Sequence, residues 1–169
     1  MKHRVRAAVL ITAGDSILLV RHREPLTGNE WWIPPGGGLQ ADDDLISAAR
    51  REVFEETGLQ VEVSRVVLVR EFKDLATNYH HVELFFVADS WEGEVTLANL
   101  VPGDEDEPLV KEARFVYRDE FAGITVWPEW LHEDWFWEEA GRGFPNHARY
   151  TGCQVDRSGL ARPDDADDS

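Results

Sequence analysis

Three consecutive glycines, Gly36-Gly37-Gly38, lead through Leu39-Gln40-Ala41-Asp42-Asp43-Asp44 into the segment that most constrains this chain. Start and stop signals predict a helix from about Asp44 to Thr57: one of the three aspartates caps the first amides, and Gly58 suits the left-handed residue past the last turn. At about 100° per residue, Glu52, Glu55 and Glu56 stand at i, i+3 and i+4 and share one face. Ile46, Ala49, Val53 and Phe54 fall on a neighbouring arc that can turn to a core.

Charge on a helix ordinarily marks a solvated face. Here Glu52 and Glu56 are like charges four apart, which costs roughly a few tenths of a kcal/mol, and Arg51 offsets only Glu55 from four residues back. Clustered carboxylates make better sense around a cation. Three oxygen donors on one rigid element suit a hard ion such as Mg²⁺ or Mn²⁺, with water and phosphate oxygens completing the shell.

The spacing closely resembles the Nudix box, G-x5-E-x7-R-E-U-x-E-E-x-G-U with U aliphatic. Gly37, Arg51, Glu52, Val53, Glu55, Glu56, Gly58 and Leu59 fill their positions, and Trp32, Pro35 and Gly36 resemble the W-x-x-P-G-G lead-in. One position departs from the pattern: Asp43 stands where the early glutamate is expected, and the shorter side chain predicts a looser loop. The resemblance implies an α+β fold, an α/β/α sandwich with a mixed β-sheet covering about Val5 to Glu139; periodicity alone gives only a sandwich of helices and strands. It also implies hydrolysis of the pyrophosphate in a nucleoside diphosphate linked to another group. The carboxylates of Glu52, Glu55 and Glu56 and the carbonyl of Gly36 would hold Mg²⁺ or Mn²⁺. Arg51 would orient the glutamates, with Gly37, Asp43 and Gly58 supporting the motif. By the same resemblance Glu52 would bind the metal, directly or through water, or act as the general base. A further carboxylate from a later loop completes the shell or acts as base in many members, and Glu105 and Glu107 are the candidates, with Glu112 behind them. The alternative is a Nudix-fold module that senses a nucleotide without cleaving it, for which Asp43 is the best argument.

The rest of the chain fits one domain. Its 169 residues, 43% of them hydrophobic, suffice to bury about two thirds of the unfolded surface. We expect the domain over 1–152 and an acidic, flexible tail over 153–169. A lone cysteine, Cys153, precludes an internal disulfide framework and suits a reducing interior. No apolar run reaches membrane-spanning length and no signal peptide is evident, so a cytoplasmic protein is expected. The net charge of −16 weighs against a duplex nucleic acid or an anionic membrane as partner. It would also repel a phosphate substrate unless a cation intervened.

Val5–Thr12 and Ser16–Arg23 read as a hairpin around Ala13-Gly14-Asp15. Arg21 and Arg23 at its end are candidates to face an incoming phosphate, and Trp31 to stack on a base, while Trp32 braces the glycine loop. Val61–Glu71 reads as one bent strand or two, and Phe72–Tyr79 as a loop. His81–Ala88 is a strand with Val82, Leu84 and Phe86 on one face and His81, Glu83, Phe85 and Val87 on the other. Glu112–Tyr117 is a further strand, Arg118–Phe121 a turn or short helix, and Pro128–Glu139 a helix dense in tryptophan. Exposed tryptophan there would need cover, which makes a homodimer plausible.

Overall fold

The second half of β1 (Lys2–Leu10) is a continuous apolar run and is buried on both sides: Ala7 and Val9 face one core cluster, Ala8 and Leu10 the other. A computed structural model describes residues 1–104 and 107–157. Its first sheet runs β5–β1–β7–β6–β9, where β5 is Gly36–Gly38, β6 Gln60–Asp74, β7 Tyr79–Glu92 and β9 Arg149–Asp156. β1 lies parallel to β7 and antiparallel to β5, and β9 runs parallel to β6, so the sheet is mixed. A second sheet joins β2 (Thr12–Ala13), β3 (Ser16–Arg23), β4 (Glu30–Ile33) and β8 (Val110–Tyr117), with β3 between β4 and β8.

Helix α1 (Leu45–Thr57) covers one side, packing Ala48, Ala49 and Val53 into a cluster with Ala7, Val9, Leu18 and Phe86. On the other side Trp130, Leu131 and Phe136 pack with Ala8, Leu10, Leu19 and Phe85. Phe85 and Phe86 therefore point to opposite cores, as strand alternation predicts. The result is an α+β sandwich with helical layers on both sides of mixed β-structure, as expected.

Several boundaries differ from expectation. The hairpin is confined to β2–β3, because the chain breaks at Ile11 and β1 pairs with β5 and β7 instead. Val61–Glu71 is part of one continuous, bulged strand, and pairing of Phe72, Lys73 and Asp74 with His81, His80 and Tyr79 shortens the expected loop to 75–78. The expected late helix is two pieces: a 3₁₀ turn over Glu129–His132, a break at Glu133, and α2 over Asp134–Gly141. Trp130 is buried, and Trp135 and Trp137 are partly buried against the same core. On α1, Ile46 and Phe54 are exposed and the buried stripe is Ala48-Ala49-Val53. The sheet also crosses the expected domain boundary at 152, since Cys153 to Asp156 pair with Glu71 to Asp74. Residues 158–169 of the expected tail, and Glu105, lie outside the described residues. Among the described residues no helix is long and apolar enough to cross a membrane.

Candidate active site

The start and end of α1 are fixed by its caps. Asp44 accepts from the Ser47 amide at 2.7 Å while the Ser47 hydroxyl accepts from the Asp44 amide at 2.9 Å, a reciprocal capping box. Gly58, at φ 76°, donates to the Phe54 carbonyl at 2.9 Å and ends the helix in the left-handed conformation. Between these caps, helical spacing turns Glu52 and Glu56 toward the glycine strand β5, and both are buried.

β5 permits that approach because it has no side chains. A Cβ on Gly37 would stand against the Glu52 carboxylate, one on Gly36 against the backbone of Ala7 and Ala8, and one on Gly38 against the Arg4 guanidinium. The Gly36 amide donates to Glu56 Oε2 at 3.0 Å, tying strand to helix across twenty residues of sequence. The Gly36 carbonyl accepts from Arg6 Nη2 at 3.2 Å.

Arg51 organises the neighbouring acids. Nη1 donates to Glu52 at 2.8 Å and to Glu55 at 3.3 Å, and Nη2 donates to the Gly38 carbonyl at 3.2 Å. Nη2 and Nε both reach Asp43 Oδ2, at 2.7 and 3.2 Å, and the Gln40 amide donates to the same oxygen at 3.0 Å. The Arg51 hydrogen bonds, then the Gln40 amide, hold the Asp43 carboxyl below its ordinary value. The shorter acid thus still ties the loop to the helix. Burial pushes Glu55 above its ordinary value against the pull of Arg51, and the negative charge of Asp104 adds to the rise.

Lys2, His3, Arg4, Gly38, Leu39, Gln40, Glu52, Tyr79 and Asp104 line a cavity of about 660 Å³ beside these acids. Asp104 is the described carboxylate that the late loop brings to the site, one position before the candidate Glu105. Glu107 is exposed and its amide folds back on the Asp104 carbonyl. Arg21, Arg23 and Trp31 are not among the cavity-lining residues. Arg21 pairs with Glu30 at 2.9 Å and Glu112 at 3.1 Å on the second sheet, Arg23 is exposed at the end of β3, and Trp31 stacks on His22 with centroids 5.6 Å apart. Glu112 is thereby engaged on β8.

Sequence reasoning missed the basic end of β1, although its alternation was readable: Lys2, Arg4 and Arg6 occupy every second position. It also missed a charged row on the face opposite α1. Arg6 approaches Glu83 at 3.7 Å, Glu83 pairs with the buried Arg70 at 2.5 Å, and Arg70 reaches Glu129 at 3.2 Å and Gln154. Glu83 therefore neither faces solvent nor stands beside α1. His81, next to this row, has a buried Nδ1, and burial followed by the Arg6 charge holds the imidazole below its ordinary pKa.

The arrangement fits a hard divalent cation. The available donors on α1 and the loop are carboxylate oxygens, two of them belong to buried side chains, and the side chain missing at Gly37 leaves room for the Glu52 carboxylate. The NUDIX domain matches residues 1–147. The chain is 28% identical over 102 residues to the m7GpppN-mRNA hydrolase NUDT17 of Bos taurus, covering 54% of this chain and 34% of that protein. It is 32% identical over 71 residues to the phosphatase NudJ of Escherichia coli K12, covering 42% of this chain and 45% of that one. The chain thus spans less than half the length of these curated relatives. The MutT NUDIX hydrolase of Burkholderia pseudomallei superposes with a TM-score of 0.57 at 25% identity over 70% of this chain and 86% of that one. A NUDIX hydrolase from Nitrosomonas europaea shares the fold with a TM-score of 0.63 at 20% identity over 88% and 93% of the two chains. With the glycine strand, the acid-bearing helix and their capping all in register, and the domain matched over 1–147, this chain belongs to the Nudix family.

Proposed function

We propose that this chain is a metal-dependent hydrolase that cleaves the pyrophosphate of a nucleoside diphosphate linked to another group, such as a nucleoside triphosphate, ADP-ribose or a nucleotide sugar. The observation that carries the reading is the burial of Glu52 and Glu56 on one face of α1 against a strand of three glycines. Arg51 pairs with Glu52 and the Gly36 amide with Glu56, and carboxylates gathered this closely on one helix face are the donor set that a hard divalent cation takes in this family.

Glu52, Glu55, Glu56 and the Gly36 carbonyl would hold Mg²⁺ or Mn²⁺, with Asp104 adding a carboxylate from the opposite loop. The bound ion supplies charge neutralisation at the phosphates and lowers the pKa of water. The protein's own part is positioning. Arg51 fixes the rotamers of Glu52 and Glu55, and Glu56 ties the glycine strand to the helix. Water forms the new bond to phosphorus as the anhydride P–O bond breaks and the phosphate or nucleotide leaves. Among the described residues, Glu52 and Asp104 are the carboxylates that line the cavity, and either is placed to take the water's proton. Lys2 and Arg4 line the same cavity and offer positive charge to the substrate within an otherwise acidic protein.

The test is product release from a panel of nucleoside triphosphates, ADP-ribose, nucleotide sugars and dinucleoside polyphosphates with Mg²⁺ or Mn²⁺, run beside Glu52→Gln and Glu56→Gln. Turnover of one substrate class by the wild type, lost in variants whose melting temperatures are retained, supports the proposal. Failure of every substrate with either ion, while a nucleotide still raises the melting temperature, refutes hydrolysis in favour of a sensor.

A further inference from the structure

On the α1 side of the first sheet, away from the acids of the helix, three different metal-ligating side chains meet across neighbouring strands. Glu71 on β6 is the register partner of Cys153 on β9, and His80 on β7 lies diagonally across from Glu71, its own partner being Lys73. Alternation places Glu71 on the face opposite Arg70, so this group is separate from the Arg6–Glu83–Arg70 row. A carboxylate oxygen of Glu71, a ring nitrogen of His80 and the Cys153 sulfur all lie within 4.8 Å of one another. His80 Nε2 is 2.5 Å from Glu71 Oε2, and the Tyr150 hydroxyl donates to Glu71 Oε1 at 2.7 Å. The Glu71 carboxylate is thus held in place by two neighbours, one at each oxygen.

We propose that Glu71, His80 and Cys153 form a second metal site, for Zn²⁺, distinct from the carboxylate site on α1. Thiolate, imidazole and carboxylate together select a borderline-soft ion, whereas the all-oxygen donors on α1 suit Mg²⁺ or Mn²⁺. Ligands at ordinary Zn²⁺ bond lengths on a tetrahedron stand about 3.3–3.8 Å apart. The group must therefore draw Cys153 inward by up to about 1 Å and open the His80–Glu71 contact by a similar amount. Cys153 is exposed and has room to turn. Three protein ligands leave a fourth position for solvent. Loading releases the thiol proton to solvent and leaves the neutral imidazole protonated at Nδ1 instead of Nε2, so one proton is released per ion and uptake strengthens as pH rises. The ion would pin β9 to β6 and β7 at Cys153, next to Gln154, whose side chain holds Arg70 on the other face.

Titration of the full chain with Co²⁺ under saturating Mg²⁺ tests this, because thiolate-to-cobalt charge transfer gives a near-ultraviolet band that an all-oxygen site lacks. One equivalent carrying that band is expected. The band should vanish in Cys153→Ser, affinity should fall at least about tenfold in His80→Ala and Glu71→Gln, and all of it should survive in the Glu52→Gln/Glu56→Gln double variant. Zn²⁺ should displace the Co²⁺, and equilibrium dialysis should find one less Zn²⁺ per chain in Cys153→Ser than in the wild type. The absence of a charge-transfer band in folded wild-type protein overturns the proposal. So does a band unchanged by His80→Ala and Glu71→Gln, which would mean that Cys153 binds alone.

Discussion

Asp43 and Arg51 are joined through a single carboxylate oxygen that accepts from two guanidinium nitrogens, at 2.7 and 3.2 Å. Since Arg51 also holds Glu52, Glu55 and the Gly38 carbonyl, this pair couples the loop to the acids. Replacing Asp43 with Ala is expected to lower metal-dependent turnover by roughly tenfold or more, the usual effect of removing a group that orients a metal ligand. Asp43→Glu should retain most of it. Steady-state rates across metal concentrations check both.

The same pair makes stability depend on pH. The folded-state pKa of Asp43 lies below its unfolded value, so its contribution is complete above the ordinary aspartate range, near about 3.9, and is lost as pH falls through the folded value. The melting temperature of Asp43→Asn should therefore lie below wild type at neutral pH, and the gap should close under acid conditions. A gap that stays constant to the lowest accessible pH would exclude this origin.

At Gly37 the space for a side chain is already filled by the Glu52 carboxylate. Gly37→Ala should displace that carboxylate, weakening Mg²⁺ or Mn²⁺ binding and turnover together. Calorimetric titration of the metal, alongside rate measurements, would show the two losses in step.

Asp104 enters the site from a loop, and its charge acts on Glu55. Asp104→Asn should reduce kcat while leaving the melting temperature within about 2 °C of wild type, as expected of a surface change of under about 0.5 kcal/mol. Glu107→Gln, at an exposed position, should change neither quantity.

Arg70 is buried against Glu83 on the face away from α1. Removing one partner of a buried pair leaves the other charge poorly compensated, so Arg70→Met should destabilise the fold by about 3 kcal/mol. Equilibrium denaturation measures this directly, and because Arg6 remains near Glu83, a double variant with Arg6→Met should lose more than Arg70→Met alone.

Local chemistry made the centre of this molecule readable. Asp44, Ser47 and Gly58 act on neighbours within four residues, so α1 follows from the sequence almost to the residue. Glu52, Glu55 and Glu56 follow from helical periodicity in the same way. What escaped depends on partners far along the chain. Val5–Thr12 is locally a good hairpin arm, but parallel pairing of β1 with β7 outweighs the short turn. β9 has Gly152 and polar residues in its sequence and is a strand only because β6 offers an edge. Glu83 and Arg70 look like surface charges until the chain folds back and brings them together, thirteen positions apart in sequence. Asp104 was hidden among acidic neighbours, where no periodicity distinguishes one carboxylate from the next. The same long-range pairing engages Arg21 with Glu30 and Glu112, while the cations that line the cavity beside α1 come from the first strand.

The three-glycine strand also limits where this protein can diversify. With backbone, Glu52 and Arg4 already occupying the places that side chains would need at 36, 37 and 38, those positions admit no new contact to a substrate. Variation in what the cavity accepts falls instead to the side chains that line it, those of β1, Leu39, Gln40, Tyr79 and the loop bearing Asp104, while the glycine stretch itself stays mute.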